Sequence, residues 1–129
     1  MERIETSLSG VVELRPTVYR DKRGFFLETY HEAKFADLGI RDRFVQDNHS
    51  ASKRGTLRGL HYQLQHPQAK LCRVIEGTVL DIAADIRVGS PQFGKWTTVR
   101  LSATEQKKDA RNPKLAEISQ EFLPRYTEG

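Results

Sequence analysis

The feature that most constrains this sequence is a succession of short β-prone runs, each closed by turn-forming residues, through its first hundred or so positions. Residues 11–14 and 16–19 are two such runs, and Asp21-Lys22-Arg23-Gly24 is a turn leading into a third at 25–30. Further runs fall at 44–46, 56–63, 71–75, 78–87 and 96–101. One early segment departs from the pattern. Residues 31–38 read as a helix, with Ala33, Phe35, Ala36 and Leu38 available for packing and Gly39 as the stop. Many short strands joined by glycine-bearing turns predict a β-sandwich or barrel and argue against a βαβ fold. A length of 129 residues suits one domain.

Within the run ending at Arg87, Leu80, Ile82, Ala84 and Ile86 alternate with Val79, Asp81, Ala83 and Asp85. The first set is expected to face the core. The second, two acids among small residues, suits either a solvent-facing side or a polar barrel interior. Glu76-Gly77 predicts a tight hairpin that sets 71–75 beside the strand starting at Thr78. From about Gln106 the pattern changes, because Lys107-Lys108-Asp109-Ala110-Arg111-Asn112 is charged and lacks β alternation. Asn112-Pro113 then reads as a helix start, with Leu115, Ile118 and Phe122 on one face and Pro124 as the end. The expected division is a β domain over 1–106 and a partly helical tail over 107–129.

Charge narrows the function classes. The 21 Lys+Arg against 17 Asp+Glu leave a formal net charge of +4. The bases are scattered among acids, so a nucleic-acid surface is not expected, and a cleft for a phosphorylated small molecule suits the surplus better. No apolar run is long enough for a transmembrane helix, and the first ten residues lack a signal-like apolar stretch, so the cytoplasm is expected. A single cysteine, Cys72, rules out an internal disulfide and a cysteine-built zinc site.

Functional side-chain types are densest in Gln46-Asp47-Asn48-His49, in Arg58-Gly59-Leu60-His61-Tyr62-Gln63, and at Lys70. On an extended strand Gly59, His61 and Gln63 share a face, and a glycine inside a strand often marks close approach by a ligand or another backbone. Histidine is suited to taking and returning a proton, and a lysine beside it can stabilise an oxyanion. The two together are the minimum for removing a proton next to a carbonyl, with Arg23 and Arg58 available for phosphate oxygens. Taken singly, each is better explained as a strand or surface residue. Metal chemistry competes, since Gly55, five residues and then His61 follow the spacing of metal-binding cupins. Gln63 and Lys70, however, stand where that pattern needs a second histidine and a glutamate, so a metal-free site is expected.

Longer strings go further. They are Asp21-Lys22-Arg23-Gly24-Phe25-Phe26-Leu27-Glu28, Phe44-Val45-Gln46-Asp47-Asn48-His49-Ser50 and Leu57-Arg58-Gly59-Leu60-His61-Tyr62-Gln63. Gln68-Ala69-Lys70-Leu71, residues 81–87, and Gly89-Ser90-Pro91-Gln92-Phe93-Gly94-Lys95-Trp96 follow in order. Across about residues 1–106 the chain resembles the dTDP-4-dehydrorhamnose 3,5-epimerases. The resemblance implies a cupin-type jelly roll, a homodimer, and no metal or organic cofactor. It implies as substrate a thymidine-diphosphate-linked 4-keto-6-deoxy hexose, on the way to dTDP-L-rhamnose. Position by position, His61 matches the proton acceptor and Lys70 the lysine near the keto oxygen. Arg23, Phe26, Glu28, Gln46, Asn48 and Arg58 match residues that bind the nucleotide-sugar, and the segment 23–28 is implied to reach the neighbouring subunit's site. The family's proton-donating tyrosine and late aspartate have no match within 107–129. The expectation is an epimerase sequence truncated or frame-altered after about residue 106, with impaired turnover. The alternatives are a shortened working enzyme and a nucleotide-sugar-binding remnant without turnover.

Overall fold

The computed structural model describes residues 1–105 and 108–111, in which eight strands and one short helix are formed. In chain order these are β1 (Glu2–Glu5), β2 (Val11–Arg15), β3 (Val18–Asp21), β4 (Gly24–Leu27), α1 (Glu32–Asp37), β5 (Lys70–Arg73), β6 (Thr78–Ala84), β7 (Trp96–Ser102) and β8 (Lys108–Arg111). They assemble into a four-stranded sheet in the order β1-β2-β8-β5, a β3–β4 hairpin and a β6–β7 pair. Every pairing is antiparallel. The mainly β reading therefore holds.

β2 organises the core through the period-2 alternation of its side chains. Val12 and Leu14 point to one side, where they cluster with Phe35 of α1 and with Ile40. Val11 points the other way and packs with Leu8 and with Ala83 of β6. The strand is thus sandwiched between the helix and the β6–β7 pair. α1 forms where expected. His31 caps it, with Nδ1 accepting from the Lys34 amide at 3.5 Å, and Glu32 lies in the first turn beside the positive end of the helix dipole. Gly39 ends it at φ 81°, a left-handed conformation that glycine adopts without a Cβ clash, and the Ile40 amide then donates to the Phe35 carbonyl at 2.8 Å.

Several expectations are corrected. The runs at 44–46 and 56–63 are not strands; residues 40–69 contain neither helix nor strand. A β-prone run becomes a strand when a neighbour takes up its N–H and C=O groups, and among the described residues no strand lies beside these two. The reverse holds for the charged segment after Gln106. β8 arises within it, just beyond the division expected at residue 106, and sits between β2 and β5, with Arg111 opposite both Val11 and Lys70. Its ladder is set by partners on both sides rather than by its own alternation.

Glu76-Gly77 does not join neighbouring strands either, because β5 pairs with β8 and β6 with β7. Leu71 packs at the helix-side cluster and Ala83 at the Leu8–Val11 cluster, so the chain changes layer between them. The faces of β6 are also exchanged. Asp81, Ala83 and Asp85 are buried, opposite buried Thr97 and Val99 of β7, whereas Leu80, Ile82, Ala84 and Ile86 are only half-buried. Of the two alternatives for the acidic side, an interior location is the one realised. β1 was not anticipated, having only Ile4 as an apolar marker. The helix expected through Leu115, Ile118 and Phe122 lies outside the described residues.

Candidate nucleotide-sugar site

The β3–β4 hairpin carries Arg23, Phe26 and, just beyond it, Glu28. Asp21 pairs with Gly24 across a two-residue turn, and the Asp21 side chain fastens that turn from below. Its Oδ1 accepts the Arg23 amide at 2.8 Å, while its Oδ2 accepts Nη2 and Nε of Arg23 at 2.6 and 3.1 Å. The Arg23 contact, followed by the local amides, holds the Asp21 carboxyl below its ordinary range. Arg23 nonetheless keeps 90% of its side chain in water at the hairpin tip. Register places Tyr19 opposite Phe26 and Arg20 opposite Phe25. The Arg20 guanidinium lies 5.5 Å over the Phe25 ring and donates to the Thr104 carbonyl at 3.3 Å, which ties this face of the ribbon to the body. Glu28 accepts from Lys34 of α1 at 2.8 Å, a contact that lowers its pKa.

Four more candidates lie on the long segment between α1 and β5. Gln46 Nε2 donates to Asn48 Oδ1 at 3.2 Å, so these two side chains are brought together. Arg58 donates to the Ala51 carbonyl at 3.4 Å. His61 is exposed to solvent, and Gly59 and Gln63 beside it are exposed as well. Lys70 opens β5, is half-buried, and donates from Nζ to Gln68 Oε1 at 2.9 Å. Cations, amide donors, an aromatic surface and an imidazole are all presented on exposed or half-buried residues.

Sequence reasoning passed over one well-built polar cluster. Asp85 is fully buried, and its carboxylate takes Nε and Nη2 of Arg87 at 2.9 and 2.7 Å, the Arg87 amide at 2.9 Å and the Ser90 hydroxyl at 2.5 Å. The Arg87 contact is the chief reason its pKa falls far below the usual carboxylate value. The spacing Asp85-x-Arg87-x-x-Ser90 was the available signal. Gln92 then fastens this loop to the N-terminal segment, accepting the Ser9 amide at 2.8 Å and donating to the Ser7 carbonyl at 3.0 Å. Among the described residues no three His, Cys, Asp or Glu side chains converge as metal ligands, and no helix is long and apolar enough to cross a membrane.

The strand-rich scaffold is that of a cupin-type protein of the sugar-nucleotide epimerase kind. A sequence model of the dTDP-4-dehydrorhamnose 3,5-epimerases matches residues 5–110. The chain belongs to that family. It is 54% identical over 99 residues to the dTDP-4-dehydrorhamnose 3,5-epimerase of Methanothermobacter thermautotrophicus, covering 77% of this chain and 54% of that one. Its backbone superposes with TM-score 0.85 on a crystal structure of dTDP-6-deoxy-D-glucose-3,5-epimerase from Legionella pneumophila in complex with dTDP-4-keto-L-rhamnose, at 45% identity. That match covers 89% of this chain and 62% of the other. The epimerase from Bacillus anthracis with TDP and PPi bound matches with TM-score 0.81 at 36% identity, over 86% of this chain and 65% of that one. The chain therefore spans about half the length of the Methanothermobacter relative and under two thirds of the two solved structures.

Proposed function

We infer that the protein acts on a dTDP-linked 4-keto-6-deoxy hexose, inverting C3 and C5 as a dTDP-4-dehydrorhamnose 3,5-epimerase in dTDP-L-rhamnose formation. The observation that carries this reading is the family match over residues 5–110, which contains every candidate site residue. A C4 ketone acidifies the hydrogens on both neighbouring carbons. His61 takes one of these protons, the electron pair moves onto the keto oxygen as an enolate, and the Lys70 ammonium stabilises that oxygen. Protonation of the same carbon from the opposite face, by an acid other than His61, completes the inversion. Arg23 and Arg58 hold the diphosphate, and Phe26, Glu28, Gln46 and Asn48 hold the nucleoside and sugar. A cytoplasmic homodimer, in which the Arg23–Glu28 segment serves the neighbouring site, belongs to the same reading.

The test is deuterium wash-in at C3 and C5 of dTDP-4-keto-6-deoxy-D-glucose in heavy water, followed by NMR. The unaltered chain is expected to exchange these positions, and His61→Asn is expected to abolish exchange. The alternative reading is nucleotide-sugar binding without turnover. It predicts thermal stabilisation by dTDP with no exchange at either carbon.

A further inference from the structure

An ammonium group stabilises a developing oxyanion best when it already sits where the charge appears, because moving it there during the reaction forfeits the gain. Lysine is poorly suited to this by itself, since its four-carbon stem carries considerable rotamer freedom. Here the side chain is anchored at both ends. Its backbone opens β5, and its Nζ donates to Gln68 Oε1 at 2.9 Å. Residues two apart in extended chain project to the same side, which brings the two side chains together. The approach to Gln68 is constrained as well. His66 has φ 53°, the one positive φ at a non-glycine position among the described residues, and the ring of Pro67 fixes the φ that follows. Two features of the contact matter chemically. It uses one of the three Nζ donors, so an oxygen of a ligand can meet another. Its acceptor is a neutral amide, which orients the ammonium without an acid offsetting its charge; a carboxylate at position 68 would hold Nζ and cancel part of its field.

We propose that Gln68 is a positioning residue for the epimerisation, holding the Lys70 ammonium at the place where the keto oxygen becomes an enolate. The inference rests on the role given to Lys70 above and adds to it a residue outside the candidate set. Gln68 acts through Lys70, so its effect falls on proton transfer and not on nucleotide affinity. Gln68 is itself exposed, so replacing its amide leaves the core untouched.

Deuterium wash-in at C3 and C5 of dTDP-4-keto-6-deoxy-D-glucose, followed as a function of substrate concentration, tests this with Gln68→Met, Lys70→Met and the double variant. Gln68→Met keeps the length of the side chain and removes the acceptor. It is expected to slow the maximal exchange rate about tenfold or more, with KM, dTDP affinity and thermal midpoint nearly unchanged. Added to Lys70→Met it is expected to cause no further loss, because a group acting through a lysine has nothing to act on once that lysine is gone. An unchanged exchange rate in Gln68→Met overturns the role of Gln68 and leaves the epimerase reading intact. Losses that multiply in the double variant, or a raised KM with the maximal rate kept, also overturn it, since they report a contact independent of Lys70. Absence of exchange in the unaltered chain overturns both.

Discussion

Asp85 and Arg87 meet through two hydrogen bonds, Nε to Oδ1 at 2.9 Å and Nη2 to Oδ2 at 2.7 Å, with the carboxylate wholly buried and the arginine side chain 31% exposed. The Arg87 amide and the Ser90 hydroxyl complete the carboxylate's acceptor capacity. The loop between β6 and β7 is thereby folded around a charge that sits inside the protein, while its cation stays partly in water. Backbone pairing runs on past β6, with the Asp85 amide donating to the Lys95 carbonyl and the Gly94 amide to the Asp85 carbonyl. Acid, arginine and loop backbone form one unit.

Removing the cation leaves the buried carboxylate with neutral partners alone. Arg87→Leu is expected to destabilise the protein by about 2–4 kcal/mol, the range for a broken buried ion pair reduced for the partial exposure of the arginine. Urea unfolding at neutral pH measures this, and a midpoint equal to that of the unaltered chain contradicts it.

The same pair sets an acid limit. The folded state holds the Asp85 carboxyl far below its unfolded value, so the unfolded chain binds the proton more readily. The stability from this site is present above the ordinary carboxylate range near pH 4 and is lost as pH falls toward the lower folded value. Asp85→Asn is expected to be less stable at neutral pH and to lose less stability than the unaltered chain on acidification from about pH 4 to about pH 2. Parallel pH-dependent slopes for the two proteins sink the assignment.

Gly39 offers a backbone test. At φ 81° an added Cβ is strained, and it lies 2.6 Å from Nη1 of Arg3, which donates to the Leu38 carbonyl at the helix end. Gly39→Ala is expected to cost about 1–2 kcal/mol, read as a lowered thermal midpoint. A neutral or stabilising outcome means the helix ends differently.

For the chemistry, Lys70→Met is expected to slow deuterium exchange at C3 and C5 by about 100- to 1000-fold. Affinity for dTDP, which lacks the sugar, should be nearly unchanged. Loss of dTDP affinity in step with exchange assigns Lys70 to nucleotide binding instead.

What was legible in the sequence divides along physical lines. α1 was readable because its packing positions and Gly39 stop are local signals within seven residues, from Ala33 to Gly39. β2 and β7 were readable from the runs at 11–14 and 96–101. Pairing was not, since β8 owes its place to β2 and β5, about a hundred and about forty residues earlier in the chain. The burial of Asp85 was one of two open readings, because charge alone argues for solvent and only the ligands supplied by its own loop reverse that. The candidate site came from strings of residues in fixed order. Its local geometry, such as the contact of Gln46 with Asn48 or the tilt of Tyr19 on Phe26, depends on turn and register and is not written in composition.

The position of β8 has a temporal consequence. β2 and β5 have no common neighbour until the strand ending at Arg111 is inserted between them. During synthesis, then, the amino-terminal strands must wait for nearly a hundred further residues to leave the ribosome before their sheet can close. At about 5–20 residues per second that is a delay on the order of ten seconds, with strand edges uncovered throughout. Non-local pairing of this kind slows folding and lengthens exposure to aggregation, so chaperone dependence should concentrate on nascent chains that have not yet released β8.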